Sequence, residues 1–349
     1  MGLSAYEQEQ FARVLAHRER ELRRSPRRLV PESVRGKGRD LYGKVLTTPG
    51  AAKARDSGAA VVKATAEGAG KFMTRTGQLT TSEDRVIRAY ARKGHPVEEL
   101  DEIRKLDLRA VDKVASFTRL HHTYSVSAAV EGAAAGLAVS GGQAAAAFGG
   151  IAGAGAAAAP GLGTIAAAMG VDAATLLTAC SRVIAHDALY YGYDPRHPAE
   201  EVFMMQVIGL GLAVTPSAKA FAYQQLAILT RSLATNLAWR ELNQQIFVKV
   251  AQRFAASFSQ RLTKRKLGQL VPVAGIGIGA VLNWKMVDDV SNAAYWAYRE
   301  RFLREKGGAD VPPIAVDVDD ARTGQNEESV IDVVGILESE GITLDRRLD

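Results

Sequence analysis

Residues 132–171 read GAAAGLAVSGGQAAAAFGGIAGAGAAAAPGLGTIAAAMGV, forty positions without one ionisable side chain, closed by Glu131 before and Asp172 after. Seventeen are Ala, eleven are Gly, and only seven are Leu, Ile, Val or Phe. Small residues let helices approach backbone to backbone. The stretch is long enough for two membrane crossings of about 20 residues each. Its seven large apolar side chains, however, favour insertion by only about −2 to −4 kcal/mol in total. Eleven Gly and Pro160 also oppose helix formation in the same segment. The composition therefore predicts helices packed inside the protein in its soluble state. The rival reading inserts 132–171 into a bilayer as a helical hairpin. Gly132 and Gly136, Gly149 and Gly153, and Gly275 and Gly279 keep four-residue spacing, which puts each pair on one helix face in a glycine-zipper-like pattern.

Outward from this run, nearly every segment carries helix signals and none shows the alternation of a strand. Ser4 and Glu7 have capping-box spacing and open a charged helix to about Arg24. Residues 25–40, SPRRLVPESVRGKGRD, break that pattern and read as a linker or basic surface arm. Ser82 caps the next helix, which Gly94 and Pro96 end. Asp107 starts a helix that leads into the Ala/Gly run, and Pro160 divides the run. Its second half continues as a helix to Gly192 and Asp194-Pro195. Pro198, Pro216 and Pro272 each start a further helix, the last ending at Gly307-Gly308. The predicted fold is all-α: a packed multi-helix domain with Ala/Gly-rich helices at its centre. The expected divisions are a basic N-terminal helical arm and linker over 1–78, a helical domain over 79–306, and an acidic, mostly disordered tail over 307–349. Within that tail, SVIDVVGILESEGI reads as a short docking helix.

The net charge of +6 hides an asymmetry. Residues 307–349 hold eleven acids and three Arg, so the tail is −8 and residues 1–306 are +14. A basic body suits an anionic membrane surface. The single Cys180 excludes an intrachain disulfide and reads as a buried thiol. The first residues are charged throughout and lack the apolar core of a secretory signal. Tyr6 stands where a myristoylation motif wants Ser or Thr.

Two segments carry a family resemblance. One is ALYYGYDPRHPAEEVFMMQVIGLGLA, with Tyr191, Gly192, Asp194 and Pro195. The other is KLGQLVPVAGIGIGAVLNWKMVDDVSNAAYWAYRERFL, with Pro272, Gly275, Gly279, Asn283, Asp289, Tyr298, Arg299, Arg301 and Phe302. In this order, over roughly 80–305, they resemble the EcsC family. That family is named for a protein encoded beside an ABC transporter in a bacterial operon. The resemblance implies a helical protein for which both a membrane-associated accessory role and a hydrolase activity have been suggested. It supplies no agreed catalytic residues.

Read from the residues alone, the strongest polar constellation lies around residue 180. Asp172, Arg182, His186, Asp187 and Asp194 interrupt an apolar stretch, and Arg182, His186 and Tyr190 share one helix face. With Asp288 and Asp289 of the last helix, His186 and Asp187 form the candidate set for acid–base chemistry. The competing reading is structural ion pairs, because a buried charge must be paired. No His-Glu-x-x-His occurs, so no metal is expected, and no cofactor either. Gly153–Ala158 and Gly275–Ala280 spell Gly-x-Gly-x-x-Ala but lack the preceding strand of a dinucleotide site. His121-His122-x-Tyr124, at the entrance to the run, reads as a headgroup contact or an exposed pair. Trp284, Tyr295, Trp296 and Tyr298 suit a membrane interface or a plain core.

Arg27, Arg28, Arg35 and Lys37, with Arg261, Lys264, Arg265 and Lys266, are the candidate phosphate or lipid contacts. They lack interleaved aromatics and any helix-turn-helix pattern, which disfavours nucleic acid. The sequence reading is therefore a non-enzymatic, cytoplasmic, peripherally membrane-associated accessory protein. Its expected partners are an anionic membrane surface or a membrane complex such as a transporter.

Overall fold

The computed structural model describes residues 2–24, 82–131, 158–235, 244–265, 275–308 and 330–344, with positions 133, 242 and 323. Every regular element among them is a helix: α1 Ala5–Arg23, α2 Glu83–Arg92, α3 Leu100–Ile103, α4 Leu108–Val114, α5 residues 117–131, α6 Ala158–Tyr190, α7 Pro198–Leu212, α8 Pro216–Thr235, α9 Gln244–Arg265, α10 Gly275–Gly307 and α11 Val333–Ser339. Gly132, Gly136, Gly149 and Gly153 lie outside the described residues, as do Arg27, Arg28, Arg35, Lys37 and Lys266. None of the helices among the described residues is long and apolar enough to cross a membrane.

Local chemistry sets the boundaries. At α1 the capping box is complete: the Ser4 hydroxyl accepts from the Glu7 N–H, and the Glu7 carboxylate accepts from the Ser4 N–H. Ser82 caps α2 through the Arg85 N–H and Asp107 caps α4 through the Arg109 N–H. Pro160 does not interrupt a helix. It sits in the first turn of α6, where its missing N–H removes no internal bond. The helix expected from Asp107 divides at Ala115 and Ser116 into α4 and α5.

Helix α7 is mostly apolar and buried around its whole circumference: residues 199–210 are all buried, Glu200, Glu201 and Gln206 among them. A helix without a polar face belongs in the centre of a bundle. It packs most extensively on α10 and also touches α6, α8, α9 and α11. The closest approach is at Gly211, where a Cβ would stand 2.7 Å from the Val290 Cα. A backbone-to-backbone contact is thus present in the Ile-Gly-Leu-Gly-Leu segment of α7, outside the Ala/Gly run and the glycine pairs named from sequence. Helix α10 is the other spine, contacting α1, α6 and α7.

Paired residues give the directions. Asp172 meets Asn283, and Tyr191 meets Tyr298 and Phe302, so α6 and α10 run parallel. Phe117 stacks on Tyr191, His121 pairs with Asp187, and Glu131 lies near Arg182 and Asp172, so α5 runs antiparallel to α6. Glu7 meets Lys306 while His17 stacks on Trp296, so α1 runs antiparallel to α10. The bundle therefore has two distinct ends. One lies at the level of residues 131, 172 and 283, and the other at the level of 7, 193 and 305.

The first and last described segments join this body. Helix α1 packs on α4, α8 and α10. The predicted docking helix in the acidic tail is α11, which packs against α7, α8 and α9.

Candidate functional site

At the 7/193/305 end, charge is buried and paired. Arg299 is held by both Asp112 oxygens at 2.7 and 2.8 Å and donates to Gln10 at 2.8 Å. The Tyr6 hydroxyl closes the same carboxylate at 2.6 Å. Arg301 pairs with Glu200 at 2.8 Å, Tyr298 donates to the other Glu200 oxygen, and Arg301 stacks over the Tyr193 ring. Arg18 and Arg304 share Glu300. Glu7, fully buried, accepts from Lys306 and from the Leu108 N–H. These bonds join α1, α4, α7 and α10, with Tyr193 from the turn after α6. Their chemistry is that of fasteners, since each charge is opposed and hydrogen-bonded.

The candidate acid–base set is not assembled. Asp187 faces α5 and bonds His121 Nε2 at 2.9 and 3.0 Å. His186, its neighbour, points elsewhere and stacks on Tyr190 at 5.3 Å. Adjacent residues on a helix point about 100° apart, and here the two face different partners. Asp288 and Asp289 both pair with Lys285 on their own helix, and both side chains are over two-fifths exposed. Burial pushes the Asp187 carboxyl up to about 6 against the pull of His121, and pushes the His186 ring down to about 4. Asp172 accepts from Asn283 at 2.8 Å, and Asp194 braces Arg196, which also reaches Glu83. Cys180 is fully buried. Among the described residues no cluster of His, Cys, Asp or Glu has the makings of a metal site.

His121 was placed by sequence at a helix entrance, and its partnership with Asp187 was missed. The signal was available: Phe117, Ser125 and Ala128 are buried, and His121 shares their helical face. Glu201 was missed as well. It is 6% exposed, one carboxylate oxygen has no hydrogen-bond partner, and burial with help from Asp194 pushes its carboxyl up to about 8. Its unfolded value is near 4.5. The native state therefore keeps a proton that the unfolded chain releases, and this contribution to stability falls as pH rises from 4.5 through 8. Glu201→Gln removes that dependence. The variant is expected to gain stability relative to the unaltered chain between pH 5 and pH 8, as measured by urea unfolding at both values. An unchanged difference would show that Glu201 is ionised throughout.

The opposite end of the bundle has another character. Val130, 68% exposed, ends α5, and Val126 lies one turn below it on the same face. Val281 and Trp284 are exposed on the first turns of α10. At this level α5 leads into the charge-free residues 132–171. Residues 267–284, which lead into α10 and form its first turns, are a second stretch without an ionisable side chain. Gly279 is buried in α10, and Gly275 is its first residue. Arg261, Lys264 and Arg265 occupy the final turns of α9, nine residues before α10 begins. Of the four aromatic candidates, Trp284 alone is exposed. Tyr298 is buried, Trp296 stacks on His17, and Tyr295 packs on Phe117.

The EcsC protein family profile matches residues 51–303, most of the chain. The chain belongs to the EcsC family. It is 25% identical over 244 residues to the uncharacterized protein YdbA of Bacillus subtilis (strain 168), a match covering 68% of this chain and 75% of that one. No solved structure matches it significantly. Several residues that carry the EcsC resemblance hold the bundle together. Tyr191 and Phe302 pack ring against ring, Gly192 makes the turn, Asn283 holds Asp172, and Tyr298, Arg299 and Arg301 bind the buried acids. Asp194 and Asp289 instead make half-exposed pairs with Arg196 and Lys285.

Proposed function

We propose that the protein is a non-enzymatic accessory factor that docks on an anionic membrane surface by the 131/172/283 end of its bundle. The observation that carries this reading is the contrast between the two ends of the bundle. Buried ion pairs crowd one end. Exposed Val130, Val281 and Trp284 occupy the other, together with the junctions to both charge-free stretches. Exposed apolar residues rimmed by basic ones suit a lipid interface, where burial of the apolar groups adds to attraction of the basic ones. Lys264, Arg265 and Lys266 supply that rim in sequence. Small-residue packing of 132–171 against the body, in the glycine-zipper manner, is part of the same proposal.

The test is sedimentation with vesicles. Binding to anionic vesicles is expected to exceed binding to neutral ones and to weaken with salt, because exposed charges are screened within about 8 Å at physiological ionic strength. Trp284→Ala combined with Val130→Ser should reduce binding while leaving the helical circular dichroism signal intact. Neutralising Asp310, Asp317, Asp319, Asp320, Glu327 and Glu328 to their amides should strengthen binding by removing an internal competitor. Equal binding to both vesicle types would reject the electrostatic part. Resistance to alkaline carbonate extraction would favour the inserted hairpin instead.

A further inference from the structure

Residues 330–344 lie in a groove built by other helices. Val330, Ile331, Val333, Val334, Leu337, Ile342 and Leu344 are all buried. The groove is formed by α7, α8 and α9. Three directional contacts fix the register. The Val334 N–H donates to Gln225 Oε1 at 2.8 Å, Arg253 donates to Ser339 Oγ at 2.5 Å, and Glu340 is paired with Arg253 at 2.8 Å and Lys249 at 3.7 Å. On α7, Gly209 lies beside the incoming backbone: a Cβ there would meet the Ile331 carbonyl oxygen at 3.7 Å, in ordinary contact.

The segment carries its own start and stop. Asp332 caps α11 by accepting from the Gly335 N–H at 2.7 Å, and Gly341 ends the segment's helical turn at φ +88°. The two cations that grip it are more than half exposed, so the outer edge of the contact is open to water. The groove helices span 198–265, inside the region matched by the family profile, whereas 330–344 lies beyond it. An appended segment thus covers a surface that belongs to the family domain.

We propose that the α7–α8–α9 groove is a peptide-binding site and that residues 330–344 are its tethered ligand, able to leave and return while the body stays folded. The groove recognises a short amphipathic helix. Two adjacent valines and a leucine three residues on fill its floor, and an acidic residue at the helix end meets Arg253 and Lys249. Tethering makes rebinding of this ligand intramolecular and so raises its effective concentration. An untethered segment of the same chemistry therefore competes only when the tail is cut or displaced. This proposal is independent of the membrane reading.

The test uses the full chain with a specific protease site inserted between residues 309 and 322. After cleavage, a fluorescently labelled synthetic peptide covering 327–346 is added in excess, and anisotropy and circular dichroism are followed. The expected result is an unchanged helical signal, saturable one-to-one exchange on the cut protein, and much weaker uptake by the uncut protein. The peptide carrying Val334→Asp and Leu337→Asp should compete at least about tenfold less well, since it places charge at fully buried positions. Arg253→Glu in the body should weaken exchange, and Glu340→Arg in the peptide should restore it. Any of three results would overturn the proposal: unfolding on loss of the segment, no exchange by a folded cut protein, or equal competition by the double-Asp peptide.

Discussion

Arg299→Ala is expected to cost about 3 kcal/mol of stability, the lower part of the range for breaking a buried ion pair. The Arg299 side chain is 2% exposed and makes two bonds to Asp112, one to Gln10 and one to the Tyr191 hydroxyl. Its removal leaves a carboxylate and an amide facing an apolar gap. Asp112, 25% exposed, can recover some water, which keeps the loss from the top of the range. Arg299→Lys should rescue little, because a single ammonium cannot reproduce the two-pronged contact. Asp112→Ala together with Arg299→Ala should cost less than the sum of the two, as expected for residues in direct contact. Urea unfolding of the four proteins measures this. A single-variant loss below about 1 kcal/mol would mean that the pair does not fasten α4 to α10.

Gly192→Ala is expected to lose about 2–5 kcal/mol, from two causes that can be separated. The residue has φ +83°, which costs a side-chain-bearing residue roughly 1–2 kcal/mol. An added Cβ would also stand 2.5 Å from the Leu100 carbonyl oxygen and 3.0 Å from the Ile103 Cβ, an overpacking typically worth about 1–3 kcal/mol. Gly94 supplies the control. It has φ +82° but no atom within 4 Å of its would-be Cβ, so Gly94→Ala carries the conformational cost alone. Thermal or urea unfolding should therefore rank Gly192→Ala as clearly the worse. Equal losses would show that α3 shifts away from the turn at little cost.

The contrast between what was legible and what was not follows sequence distance. The caps at Ser4, Ser82 and Asp107 and the proline starts at Pro198 and Pro216 are read correctly because their partners are within four residues. The all-α fold follows from the same local signals. The candidate acid–base set is not brought together, because helical spacing alone does not say which neighbour each side chain will meet. His186 and Asp187 are neighbours along the chain and diverge in space, while Asp187 and His121 are 66 residues apart and touch. The partner of Arg299 is 187 residues away on a seven-residue helix, and no local pattern marks it. A docking helix was legible in SVIDVVGILESEGI; its groove was not, since three separate helices make it.

The fasteners also set an order in time for biosynthesis. Glu7, Gln10 and Arg18 of α1 bond Lys306, Arg299 and Glu300, which lie 299, 289 and 282 residues later. At a synthesis rate of about 5–20 residues per second, α1 waits roughly 15–60 s for its partners to be made. Throughout that interval its Phe11 and Val14, buried in the finished protein, have no surface of α10 to cover them. The nascent chain thus carries an apolar, charge-flanked helix without its α10 cover until nearly all of the bundle has been translated. That helix presents chaperones with a binding target which disappears only when Arg299, Glu300 and Lys306 emerge.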